Sequence, residues 1–139
     1  MKVFQVKSMV DGQPCFAVPL NDILATLKRN GALKVLSPLE YITDRQRRWY
    51  KGVCLPSLVA NDENGETLGW WDVEVKRQCK GLDYLKKETH IYADGNMIGR
   101  LTTKDVGKKN MTLFIEEILS VSMVKGWPVS APDADLRAS

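Results

Sequence analysis

The stretch Lys108–Lys125 constrains this chain more than any other. Met111, Phe114, Ile115, Ile118 and Ser122 recur at helical spacing on one face. Gly107 stands where an N-cap belongs, with Val106 and Met111 placed for a hydrophobic staple. Gly126 ends the helix and Pro128 forbids its continuation. A helix with such an apolar face needs other elements to cover it, so the chain folds around a core. Leu113, Leu119, Val121 and Met123 lie outside the main face. That excess predicts burial against a further element or a second subunit, and hence a homodimer.

The chain has 139 residues, enough for one compact domain or a domain with a small appendage. With 44% hydrophobic and 27% charged residues it is an ordinary globular composition, which excludes wholesale disorder. No run approaches the ~18–20 apolar residues of a membrane span. The first residues interleave charge with apolar side chains, so no secretory signal is expected. Cys15, Cys54 and Cys79 are odd in number, far apart and free of any CxxC. This argues against a disulfide framework or a zinc module and for a reducing, cytoplasmic setting. No metal or other cofactor is expected.

The fold class read from the sequence is α+β. Lys2–Lys7 and Phe16–Leu20 read as strands, followed by a helix N-capped at Asn21 with Ile23, Leu24 and Leu27 on one face and a stop at Asn30-Gly31. Ala32–Leu36 and Leu39–Thr43 are further strand candidates. Residues 1–43 thus form an expected β/α/β unit. Residues 44–128 should be mainly helical, and 129–139 a flexible tail.

Thr43-Asp-Arg-Gln46 has the form of a capping box opening a helix. At ~100° per residue, Trp49, Tyr50, Val53 and Cys54 fall on one arc and Arg45, Arg47, Arg48 and Lys51 on the other. Pro56 should kink or end this helix. In Trp70–Lys80 two periods compete. Trp71, Val73 and Val75 alternate as in a strand, while Trp71, Val75, Cys79 and Leu82 fit a helix face. Residues 89–101, with Asp94-Gly95 at the middle, read as a β-hairpin.

Three groups of residues are candidates for chemistry. The first is basic: Arg45, Arg47, Arg48 and Lys51; then Lys76, Arg77, Lys80, Lys86 and Lys87; then Arg100, Lys104, Lys108 and Lys109. Trp49, Tyr50, Trp70, Trp71 and Tyr84 sit among the first two runs. Cations that follow a phosphate backbone and aromatic faces that stack bases suit single-stranded nucleic acid. The plainer reading is a solvated helix face with core tryptophans, and Trp49 belongs on the core arc. The second group is Asp62, Asp72, Glu74 and Lys76, an acid followed by an acid-x-Lys triplet, the pattern of Mg²⁺-dependent nucleases. On a strand Asp72, Glu74 and Lys76 would share a face; on a helix they are ordinary surface charges. The third is His90, alone near Glu88 and structural in reading. Gly95-x-x-x-Gly99 lacks the Gly-Lys-Ser/Thr of a phosphate loop.

Thr43-Asp-Arg-Gln-Arg-Arg-Trp-Tyr-Lys-Gly52, Val73-Glu-Val-Lys-Arg-Gln-Cys-Lys80, Arg100-Leu-Thr-Thr103, Met111-Thr-Leu-Phe-Ile-Glu-Glu-Ile118 and Gly126-Trp-Pro128 together resemble the phage NinB family of lambda Orf-like recombination mediators. The likeness runs from about Tyr41 to Pro128. It departs from the family where Arg47 replaces Asn, where Trp49-Tyr50 reverses the aromatic order, and where Lys76 replaces a frequent His. The resemblance implies an α+β homodimer that prefers single-stranded DNA. It implies help in loading a recombinase onto DNA coated by single-strand-binding protein, and a helix across Trp71–Cys79. The expected DNA-binding residues are Arg45, Arg47, Arg48, Lys51, Lys76, Arg77, Lys80 and Arg100, with no catalytic residues. Two other functions stay open: the Mg²⁺-dependent nuclease, and an adaptor whose basic faces meet an acidic protein.

Overall fold

The computed structural model describes residues 3–27 and 31–137 of the chain. It is a mixed α+β fold with two separate two-stranded antiparallel sheets. The chain divides into two compact units, Met1–Val35 and Leu36–Ser139.

In the first unit, β1 (Val6–Val10) pairs with β2 (Gln13–Phe16), and α1 (Leu20–Leu24) follows. Val10 faces Gln13 across a two-residue Asp11-Gly12 turn with φ of 50° and 76°. Positive φ at both turn positions matches the twist of the flanking strands, so Asp-Gly closes the hairpin. The expected β/α/β order is therefore corrected to β/β/α. Helix α1 starts after Pro19 rather than at Asn21 and ends at Leu24. Residues 31–35 form neither strand nor helix. Lys2 and Asn30 lie outside the described residues.

The second unit begins with α2 (Pro38–Trp49). Its N-cap is Ser37, whose hydroxyl accepts the Glu40 N–H at 3.1 Å, with Pro38 in the first turn. Ser37-Pro-Leu-Glu40 is thus the true start signal, and Leu39–Thr43 is helix, not strand. Thr43 lies inside α2, where its hydroxyl donates to the Glu40 carbonyl.

Pro56 neither ends nor interrupts this helical run. A five-residue π turn, Tyr50–Cys54, precedes it, and α3 (Leu55–Ala60) carries Pro56 in its first turn. The wider i→i+5 turn accommodates a residue that offers no N–H. The Ser57 hydroxyl donates to the Val53 carbonyl at 2.6 Å. The extra residue in the turn also shifts the helical phase. Val53, on the apolar arc at regular spacing, is 40% exposed, while Trp49, Tyr50 and Cys54 are buried.

The ambiguous stretch is helix through Gln78: α4 spans Leu68–Gln78, with the Thr67 hydroxyl accepting the Trp70 N–H. Val75 and Cys79 are fully buried. Leu82, expected on the same face, is exposed, because Lys80 turns left-handed (φ 57°) and breaks the helical phase before α5 (Gly81–Tyr84). A hairpin of β3 (Lys86–Ile91) and β4 (Met97–Thr102) follows, in the register Lys86↔Thr102 through Ile91↔Met97. Then comes α6, Lys108–Lys125, with the predicted bounds. Met111, Phe114, Ile115, Ile118 and Ser122 are all buried on it. The Trp127 N–H reaches back to the Ser122 carbonyl at 3.0 Å and closes its end.

The core gathers Trp49, Tyr50, Cys54, Leu55, Leu58, Val75, Cys79, Met111, Phe114, Ile115 and Ile118. Tyr50 and Phe114 pack with ring centroids 5.3 Å apart. Residues 129–137 pack against this core and do not form the expected flexible tail; residues 138 and 139 lie outside the described residues. Leu136 is 4% exposed, and Gln46 Nε2 donates to its carbonyl and to Thr112 Oγ1, each at 3.0 Å. Trp49 Nε1 donates to the Ser130 carbonyl, and Arg137 pairs with Glu116.

The most tightly enclosed glycine in the unit is Gly81. A Cβ there would lie 2.5 Å from the Lys76 carbonyl oxygen and 2.9 Å from the Leu101 side chain. Gly81→Ala is therefore expected to cost about 1–3 kcal/mol, as overpacking of a filled site does. A lowered urea midpoint with unchanged slope checks this; an unchanged midpoint refutes it.

Candidate nucleic-acid interface

The predicted basic residues do not share one state. Arg45 forks to Asp135 at 2.5 Å and Asp133 at 3.1 Å, and its pKa is held above the ordinary value, chiefly by the bond to Asp135. Arg48 pairs with Asp44 at 2.7 Å, one turn earlier on α2. Arg77 pairs with Glu74, whose carboxyl is held low first by that bond and then by Gln78. Lys80 lies 3.8 Å from Glu117, and Arg100 lies 3.4 Å from Glu88 across the hairpin.

Lys76 is a structural lysine. It is 9% exposed, and its Nζ donates to Asp72 Oδ2 and to the Leu101 carbonyl, each at 2.8 Å. The basic face expected on α4 is therefore largely committed within the fold.

Arg47 and Lys51 differ. Among the described residues neither has a carboxylate within 4 Å. Arg47 spends only its Nε, on the Thr103 hydroxyl at 3.3 Å. Thr103 is itself buried. Arg47, Arg48, Lys51, Gly52 and Asp44 line one shallow depression where α2 meets the π turn. Lys86 and Lys104 are likewise exposed and lack a carboxylate partner among the described residues.

The aromatic residues divide in the same way. Trp49 and Tyr50 are core residues, as the apolar arc required for Trp49. Trp71 is half-buried, stacks edge-on against Trp127 at 5.7 Å, and donates Nε1–H to Asp62 at 3.0 Å. Trp70 keeps 44% of its surface exposed. His90 packs edge-on against Tyr92 in the hairpin, a structural contact.

The acidic quartet does not converge. Asp62 caps its own loop, accepting the Asn64 and Glu66 N–H groups, and these bonds hold its carboxyl below the ordinary range, Asn64 most. Asp72 accepts the Tyr50 hydroxyl at 2.7 Å and the Lys76 ammonium. Glu74 is turned to Arg77 and Gln78. Among the described residues no three His, Cys, Asp or Glu side chains gather as a group fit to hold a metal ion. Helix α4 is the reason: two residues apart, Asp72 and Glu74 stand ~200° around the axis. Among the described residues no helix is long and apolar enough to cross a membrane.

Comparison with protein-family models, with curated proteins and with solved structures finds no match to this chain.

The thiols allow a direct check of the packing. Cys54 and Cys79 are fully buried, and burial pushes each thiol up to about 12. Cys15 is exposed. A thiolate is the reactive form. At about pH 8, a thiol reagent should titrate Cys15 quickly and reach Cys54 and Cys79 only on denaturation. Rapid labelling of all three in the native protein would contradict the core described here.

Proposed function

We propose that this chain is a non-enzymatic DNA-binding accessory protein of recombination. It prefers single strands and assists recombinase loading where single-strand-binding protein coats the DNA. The setting is the cytoplasm of a phage-infected or prophage-carrying bacterium, and the active form is a homodimer. The observation that carries the DNA-binding reading is the pair Arg47 and Lys51. They line one depression and lack carboxylate partners among the described residues. The link to recombination rests on the likeness of the motif residues to the NinB family.

Folding holds these like charges close, at a cost of a few tenths of a kcal/mol for an i, i+4 pair. A polyanion relieves that repulsion and releases counterions on binding. Neighbouring exposed pairs such as Arg48–Asp44 contribute ~1 kcal/mol or less, so a phosphate competes with them readily. Trp70, 44% exposed near the start of α4 and packed edge-to-face with Trp71, is the candidate aromatic we assign to base stacking.

Arg47→Ala with Lys51→Ala is expected to weaken binding to single-stranded oligonucleotides of every sequence about equally. The slope of log affinity against log salt should fall by roughly 0.7 per phosphate contact removed. Stability should change by about 1 kcal/mol or less, since what is lost in the fold is one long hydrogen bond. Wild-type affinity with an unchanged slope favours the adaptor function instead. In the same tubes Mg²⁺ should produce no cleavage. Cleavage abolished by Glu74→Gln would establish the nuclease.

The homodimer has its own measurement. Leu113, Met123 and Val124 remain exposed on α6. Light scattering should give about twice 15.7 kDa. A monomer mass at high concentration refutes the dimer.

A further inference from the structure

We infer that the phosphate-contacting edge of this protein is the end of β4 and the turn after it, residues 101–104, bordered by three cations without a carboxylate partner among the described residues: Arg47 of α2, Lys86 of β3 and Lys104. This deepens the single-strand reading and rests on it. Arg47 arrives from α2 and is anchored through Nε to the Thr103 hydroxyl. Lys76 of α4, neutralised by Asp72, fixes the strand end through the Leu101 carbonyl and is not itself one of these cations. Lys86 stands on β3 directly across from Thr102, on the hairpin face opposite the one that carries Leu101, so it borders the edge from the other side than Arg47. Lys104 follows, its N–H bonded to the Thr102 hydroxyl at 3.1 Å.

The nearby acids do not cancel this charge. Asp72 is taken by Lys76, Asp44 by Arg48, and Glu88 by Arg100 farther along the hairpin. Asp105, beside Lys104, is the remaining carboxylate of the stretch. Against Arg47, Lys86 and Lys104 there remains the carboxylate of Asp105, so the stretch keeps a net positive charge.

The chemistry of the groups names the ligand class. With Nε held by Thr103, Arg47 keeps its two terminal nitrogens for an oxyanion, and a guanidinium fixed at one nitrogen is pre-oriented for a forked contact. Lys86 and Lys104 are exposed point charges on short, defined backbone. Three cations carried by separate segments suit the successive phosphates of a flexible strand better than one small anion. Arg77 and Lys80, committed to Glu74 and Glu117, take no part in this edge.

Two measurements test the inference. The first follows backbone amide shifts while inorganic tripolyphosphate is added to the full chain. Shifts concentrated at Arg47, Lys86 and Thr102–Lys104 are expected; shifts centred on Arg77–Lys80, or none along 101–104, overturn the inference. The second compares oligodeoxythymidine binding by wild type and by Lys86→Ala with Lys104→Ala. Both residues are exposed, so the variant folds. Its salt slope should fall by roughly 1.4, at about 0.7 for each contact. An unchanged slope with wild-type binding intact overturns this edge and leaves the single-strand function standing. Tripolyphosphate shifts at 101–104 with no oligonucleotide binding by wild type overturn the single-strand function and leave an anion site.

Discussion

The carboxylate of Asp72 ties the second unit together. It accepts the Tyr50 hydroxyl from the π turn and the Lys76 ammonium from its own helix, and Lys76 passes the connection on to the Leu101 carbonyl of β4. Three elements distant in sequence are thereby held by one charged group. Burial and then the neighbouring Asp72 push the Tyr50 hydroxyl above its ordinary range, so it stays a donor. Removing one partner of such a network leaves the others desolvated without compensation, which is why breaking it costs more than any single bond contributes. The position of β4, and with it the cationic edge, depends on this chain of contacts.

The main helical features were legible in the sequence where local signals stood alone. Gly107, Gly126 and Pro128 bracket α6, and its apolar spacing named the buried face. The Asp94-Gly95 hairpin was legible for the same reason. Elsewhere a stronger signal was present and outweighed. Ser37-Pro-Leu-Glu40 marks the start of α2, yet Thr43-Asp-Arg-Gln46, well inside the helix, has the same form. Asp11-Gly12 closes β1 and β2, although the apolar pattern places the first strand too early and the second too late. The π turn before Pro56 has no periodic signature, since one added residue shifts the phase without changing composition.

The candidate site was legible only in part, and the reason is tertiary. A helical wheel shows which cations face outward but not which carboxylate faces them from elsewhere. Arg45 meets Asp133 and Asp135 from the far end of the chain, and Lys80 meets Glu117 from α6. Lys76 is drawn inward by an acid one turn away on its own helix, a pairing that the sequence did contain. Conversely, the link from Arg47 to Thr103, and the register that sets Lys86 opposite Thr102, have no local trace, because the partners lie on segments distant in sequence.

The strap that crosses α2 and α6 has a consequence for synthesis. Gln46 lies in the first helix of the second unit, yet one of its two hydrogen bonds waits for the carbonyl of Leu136. Arg45 waits in the same way for Asp133 and Asp135. During translation α2 is therefore made with a buried-type amide and a guanidinium whose C-terminal partners are not yet synthesised. Closure of the core comes only when residues 133–137 have left the ribosome. A nascent chain lacking them keeps this side of the two helices open to water.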